Sequence, residues 1–190
     1  RCVMPWGRRT GKSTMRQGLI INEAAITSGT YYFGLVLPDH ATAFKVFEAF
    51  RKALGAFVKD SKGDDKSQDR WIDLHAIVPP QGPPPIWFTD ALKRKWARCQ
   101  SGSPNTGSRL YFWSGKYPHF EAIQGFLHPF HRLDVDEAQQ LHPQAYAIVT
   151  PMLDDVRGSM CITGTPWHMG IGNVAFEEYW LTATDVAVHD

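Results

Sequence analysis

Cysteine is scarce in this chain. Cys2, Cys99 and Cys161 make an odd number and contain no Cys-x-x-Cys pair, which argues against a disulfide framework or a zinc site and for reduced thiols, as in a cytosolic protein. Long apolar runs are missing too. Nothing approaches the roughly 20 residues needed to cross a bilayer, and no secretory leader is visible, so no membrane association is expected. Nor is there an excess of charge of either sign: 20 basic residues face 19 acidic ones, for a net +1. Global charge therefore does not advertise nucleic-acid binding, and any DNA contact must be local. No internal repeat is present.

What is present is ordinary globular material. The 190 residues are 43% hydrophobic and 21% charged, enough for one α/β domain with a substantial core and short for two. Residues 1–190 are read as a single domain. The chain opens at Arg1 without an initiator Met, directly on what reads as a core strand, and is expected to be part of a longer protein.

Arg1 to Trp6 reads as the end of a strand, followed by a Gly/Arg/Thr loop and a helix from about Ser13. Tyr31 to Leu37 is a continuous apolar run ending at Pro38, which suits a buried parallel strand. Ala41 to Val58 carries Phe44, Val46, Phe47, Phe50, Leu54 and Phe57 at mostly helical spacing. Asp60 to Arg70 is charged and predicts a loop. The five prolines and one glycine between Val78 and Pro85 predict a rigid loop, and Thr89 to Gln100 a helix. Strands are expected at Arg109–Trp113, up to Val135, and at Met160–Thr163, with a helix-like segment beginning near Glu137. This alternation predicts a mostly parallel sheet with helices on both faces.

Three segments carry chemistry. Gly7-Arg8-Arg9-Thr10-Gly11-Lys12-Ser13-Thr14 lies between a candidate strand and a candidate helix, the setting a phosphate-binding loop requires. Small residues there let backbone N–H groups turn toward phosphates, and the helix N-terminus adds positive potential. Lys12 would reach the β- and γ-phosphates and the Ser13 hydroxyl would hold Mg²⁺. Trp6 stands where the general pattern has glycine, with Gly7 one step late, and a basic turn that happens to contain Gly-Lys-Ser is the plain alternative.

The second segment, Leu133-Asp134-Val135-Asp136-Glu137, puts adjacent carboxylates at a strand end. In a phosphate-loop ATPase the first acid holds Mg²⁺ through its water shell and the second polarises the attacking water, which assigns metal to Asp136 and catalysis to Glu137. Acids on a solvated helix start would look the same. The strand before the pair, Phe130-His131-Arg132-Leu133-Asp134-Val135, has three polar residues where an apolar run is normal. It is either less buried than usual or packed against polar neighbours, and Asp134 competes with Asp136 for the metal role.

The third, Cys161-Ile162-Thr163-Gly164-Thr165-Pro166, is a strand running into a small hydroxylated turn. Its threonines could sense a γ-phosphate and report its loss, although taken alone the segment reads first as a plain Gly-Pro turn. Lys93-Arg94-Lys95-Trp96-Ala97-Arg98 is the densest basic cluster and reads first as a solvated helix face. His128 and His131 lack a completing Cys or acid and are given no metal role.

In this order and spacing the segments resemble the ATPase motor domain of tailed-phage terminase large subunits. Gly7 to Thr14 looks like that family's arginine-bearing phosphate loop. Leu35-Val36-Leu37-Pro38 is similar to its second strand, Gly107-Ser108-Arg109-Leu110-Tyr111-Phe112 to its Gly-Ser-Arg strand, and Gln124-Gly125 with Val135 to Gln139 to the approach to its acidic motif. Thr163-Gly164-Thr165-Pro166 followed by Gly170 looks like its coupling motif. The likeness spans about residues 1 to 172.

The resemblance implies an additional-strand P-loop ATPase fold that uses ATP and Mg²⁺. It implies a small terminase subunit, a portal protein and double-stranded DNA as partners, and a homo-oligomeric ring on the portal. It places the protein in the host bacterial cytoplasm and transiently on the procapsid. It gives Arg8, more than Arg9, the role of an in-chain arginine finger, and Thr163, Gly164 and Thr165 a coupling role. It also implies a metal-dependent nuclease domain after the motor, which nothing after Gly172 supplies. The rival expectations are a helicase-type or other P-loop ATPase outside packaging, and a non-catalytic nucleotide-binding scaffold whose polar strand no longer supports turnover.

Overall fold

The computed structural model of the chain describes residues 2–5, 11–26, 30–62, 82–89, 107–125 and 129–164. Strand β1 (Cys2–Pro5) precedes helix α1 (Lys12–Ile26), which precedes β2 (Tyr32–Leu37) and helix α2 (His40–Lys62). Then come β3 (Ile86–Thr89), β4 (Gly107–Ser114), a 3₁₀ segment (His119–Gly125) and β5 (Arg132–Val135). A single 3₁₀ turn (Ala138–Gln140), helix α3 (Pro143–Val149), a second 3₁₀ segment (Pro151–Val156) and β6 (Ser159–Gly164) complete the described elements.

The strands join one sheet in the order β1-β6-β5-β2-β4-β3. All neighbours are parallel except β3, which runs antiparallel to β4. Strand β6 is thus inserted between the strand before the Gly7–Thr14 loop and the strand that ends at the acidic pair. That insertion is the additional strand of the expected fold class: a mostly parallel α/β sheet of the P-loop ATPase type.

Two apolar layers sandwich the sheet. On one face Ile20, Ile21 and Ala24 of α1 and Ala43, Phe47, Phe50 and Leu54 of α2 bury against Phe33, Leu35, Leu37, Leu110 and Phe112. On the other, Val36, Tyr111, Trp113, Leu133, Val135, Met160 and Ile162 meet Ala145, Tyr146 and Val149 of α3. Strand β2 feeds alternate residues into both layers, which is why it reads as an unbroken apolar run. Helix α2 starts where Asp39 caps it: its Oδ1 accepts from the Thr42 backbone N–H at 2.7 Å.

Four expectations differ from the structure. Ile86–Thr89 is a strand at the edge of the described sheet, whereas no strand is legible behind the prolines and Thr89 reads as a helix start. Proline is tolerated beside an edge strand, and the alternation is real: Ile86 and Phe88 are buried while the half-buried Trp87 lies under the Arg109 guanidinium. Asp60–Lys62 continues α2 rather than opening a loop, because Asp and Ser cost a helix only about 0.5–0.7 kcal/mol each relative to Ala, too little to end one already propagating. The strand at Arg109–Trp113 reaches from Gly107 to Ser114. The helix expected near Glu137 is only a 3₁₀ turn, and α3 begins six residues later at Pro143, a favoured first helical residue. The basic run Lys93–Arg98 and the first half of the Val78–Pro85 loop, residues 78–81, lie outside the described residues.

Candidate functional site

The carboxyl ends of parallel strands are where an open α/β sheet gathers its site. Gly11 precedes α1 with φ +79°, a left-handed conformation that suits glycine, and its carbonyl accepts the Met15 backbone N–H at 3.0 Å. This turn aims the first residues of α1 at the ends of β5 and β6. Lys12 is nearly buried, and its Nζ forms an ion pair with Glu137 Oε1. The second Glu137 oxygen accepts from Gln139 Nε2 at 2.6 Å. Glu137 itself has φ 48° and ψ 48°, a left-handed conformation that costs a non-glycine residue about 1–2 kcal/mol. Strain held by two side-chain bonds at an acid is a feature of functional sites.

Asp136 lies one residue earlier, and its backbone N–H donates to the Val36 carbonyl at 2.9 Å, extending the sheet past β5. Its side chain is buried between two donors. Arg16 Nη2 reaches Oδ2 at 2.9 Å, and Thr163 Oγ1 donates to Oδ1 at 2.9 Å, with the Val135 carbonyl as its alternative acceptor at 3.2 Å. Arg16 Nη1 also stands 3.5 Å from Thr163 Oγ1. Burial alone would raise the Asp136 pKa, but the Arg16 charge and the hydrogen bonds from Arg16 and Thr163 outweigh it and hold the carboxyl below its ordinary value.

Asp134 is different. It is also buried, but burial dominates and raises its pKa despite Arg132, whose Nε contacts Oδ1 at 3.2 Å, while Oδ2 has no hydrogen-bond partner. Arg132 in turn pairs with Glu23 of α1. The polar strand thereby has its explanation. Residues 132, 134 and 136 share one face of β5, and that face lies under α1, whose Arg16 and Glu23 carry the complementary charges. Leu133 and Val135 point into the opposite apolar layer. The strand is packed against polar neighbours; it is not exposed.

Lys12, Asp136, Glu137 and Thr163 therefore converge, brought from α1, the end of β5 and the end of β6. Ser13 and Thr14 are exposed in the first turn of α1, and Gly164 ends β6 in register with Pro5 of β1. Gly7, Arg8, Arg9, Thr10 and Thr165 lie outside the described residues. Asp134 is engaged with Arg132, away from Lys12. His131 Nδ1 accepts the Tyr32 backbone N–H at 3.1 Å, a structural use, and among the described residues no group of three or more His, Cys, Asp or Glu is placed to hold a metal. Cys161 is buried in β6. Asp136 and Ser13 offer a carboxylate and a hydroxyl, the hard oxygen donors that Mg²⁺ takes, so their chemistry suits the expected ion.

Two partners are missing from the sequence reading. Arg16 follows Lys12 by four residues and so lies on the same helix face, a spacing that could have flagged it. Gln139 gives no comparable signal, since only the left-handed Glu137 turns the two side chains together.

The sheet order and its flanking helices give the chain the additional-strand P-loop fold. Solved structures of phage large terminases share that fold. The large terminase ATPase domain of Thermus phage P74-26 matches 95% of this chain and 62% of its own length, at 16% identity and TM-score 0.57. The large terminase of bacteriophage HK97 matches 99% of this chain at 9% identity and TM-score 0.60, and that of a thermophilic bacteriophage 87% at 14% and 0.56. The chain spans about a third of these last two, 33% and 34% respectively. No family model and no curated protein sequence matches the chain.

Proposed function

We propose that this domain hydrolyses ATP with Mg²⁺ and uses the energy to drive double-stranded DNA into a viral procapsid. One observation carries the catalytic half: Lys12 and Glu137, 125 positions apart, meet at the carboxyl edge of the sheet beside the buried, ionised Asp136. A cation for phosphate, an acid for the metal shell and an acid for water are the parts that phosphoryl transfer to water needs. Mg²⁺, held through Asp136 and Ser13, would neutralise charge developing on the phosphates.

Lys12 would exchange Glu137 for phosphate oxygens, leaving the Glu137 carboxylate, still held by Gln139, free to accept a proton from the attacking water. Arg8 is assigned as the arginine finger, with Gly7, Arg9, Thr10, Gly11 and Thr14 lining the phosphates. Thr163, already bonded to Asp136, with Gly164 and Thr165, would carry the loss of the γ-phosphate into β6. The polar strand that motivated a non-catalytic scaffold has complementary charges on α1, Arg16 for Asp136 and Glu23 for Arg132, which supports the catalytic reading over the scaffold.

The packaging half rests on likeness to large terminases: a portal protein, a small terminase subunit and a homo-oligomeric ring as partners, in the bacterial cytoplasm and on the procapsid. Phosphate release measured with and without DNA and procapsids tests the whole reading. Stimulation by both is expected. Turnover indifferent to DNA and procapsids would move the protein to another class of P-loop ATPase.

A further inference from the structure

Arg16 occupies the acid that the proposed reaction reserves for metal. Its guanidinium and the Asp136 carboxylate are both almost wholly buried, at 4% and 7% side-chain exposure. With Thr163 on Oδ1 and Arg16 on Oδ2, each oxygen already accepts one donor, and the charge of the carboxylate is already balanced by the guanidinium. Among the described residues Arg132 makes ion pairs with both Glu23 and Asp134, whereas Arg16 makes one, with Asp136; it acts on Asp134 only through its charge, and its buried Nε has no hydrogen-bond partner.

Resting on the ATPase reading, we infer that Arg16 is a resident counter-ion that excludes divalent metal from Asp136 until a nucleotide brings further oxygen ligands. Two cations cannot share one buried carboxylate oxygen without strong repulsion. Without nucleotide, one carboxylate and one hydroxyl would be all the protein offers a hydrated ion in exchange for displacing the guanidinium. Phosphate oxygens would add anionic ligands and would draw Lys12 from Glu137 at the same time. Arg16 then leaves Oδ2 and its 3.5 Å contact with Thr163 together, so the end of β6 loses a neighbour only when the site is fully loaded. Arg16 is a positioning residue in this scheme. It does not touch the reacting atoms.

The test is Mn²⁺ binding without nucleotide, read from the paramagnetic resonance of free Mn²⁺. The unaltered protein should show no specific site where R16Q shows one, tighter by at least about tenfold since a full positive charge has left the carboxylate, and R16Q/D136N should lose it. A merely structural Arg16 would lower the melting temperature of R16Q and leave Mn²⁺ affinity unchanged, which would overturn the inference. The unaltered protein provides a second reading should R16Q fail to fold. Side-chain nitrogen resonances of Arg16 should stay in place with Mg²⁺ alone and move with Mg²⁺ and a non-hydrolysable ATP analogue. Movement with Mg²⁺ alone, or none with the analogue bound, overturns it. Failure of the ATPase reading is distinct, appearing as no nucleotide binding in the unaltered protein.

Discussion

Asp134 and Asp136 sit two residues apart on one strand face, yet the fold treats them oppositely. Asp136 is more acidic than in the open chain, so its contribution to stability is present above the ordinary carboxylate pKa and is lost as pH falls through its depressed value. Asp134 holds its proton more tightly in the fold, so its contribution is present below the ordinary value and is lost as pH rises through the raised one. D136N should therefore be most damaging at neutral pH, by about 3 kcal/mol for breaking a buried pair, and its penalty should shrink in acid. D134N should compare best with the parent protein at neutral pH and worst in acid. Urea midpoints for both variants from about pH 3 to about pH 8 decide this; parallel pH profiles would contradict the assignment. Lys12 is a simpler case. K12A should lose ATP affinity while changing stability by no more than about 1 kcal/mol, since its partner Glu137 is part-exposed. Calorimetric titration with ATP and a melting curve measure the two effects separately.

At the scale of elements, α1 and β5 form a charged seam. Lys12 and Arg16 lie toward the strand ends and Glu23 toward the far end of the helix, about 16 Å from Lys12 at 1.5 Å per residue. The seam should divide by function along that length. E23Q removes one charged partner of Arg132 and should cost about 1–2 kcal/mol of stability with nucleotide affinity unchanged, as read from a denaturation curve and an ATP titration. Loss of ATP binding in a folded E23Q would mean the seam acts as one unit.

The sequence shows part of this and hides part. Runs that feed both apolar layers, such as Tyr32–Leu37, announce themselves, and the Gly-Lys-Ser turn and the Asp-Glu pair are local signals. The antiparallel β3 is concealed because four residues after a proline run carry too short an alternation to distinguish from loop. The seam is concealed for another reason. Its logic lies in pairing residues 16 with 136 and 23 with 132, and pairing at that separation exists only once β5 is laid beneath α1. Read alone, Arg132 and Asp134 look like faults in a buried strand.

For the whole molecule, the proposal is that events at the carboxyl edge of the sheet are tied to movement of DNA. Arg8 belongs to this scale, since a finger answers charge that develops only in the transition state. R8A should lower turnover by about 10³-fold or more while leaving ATP affinity nearly intact; equal losses in the two would reduce Arg8 to ordinary phosphate binding. The central claim is that the Lys12–Asp136–Glu137 constellation is a working hydrolytic site, and Glu137 is where it is most exposed to test. Steady-state phosphate release should be compared between the unaltered protein and E137Q, with ATP and Mg²⁺ binding measured on the same samples. E137Q should bind both normally and release phosphate about 10²- to 10⁴-fold more slowly, the usual contribution of a positioned general base. An E137Q protein that hydrolyses ATP at the unaltered rate would contradict the site.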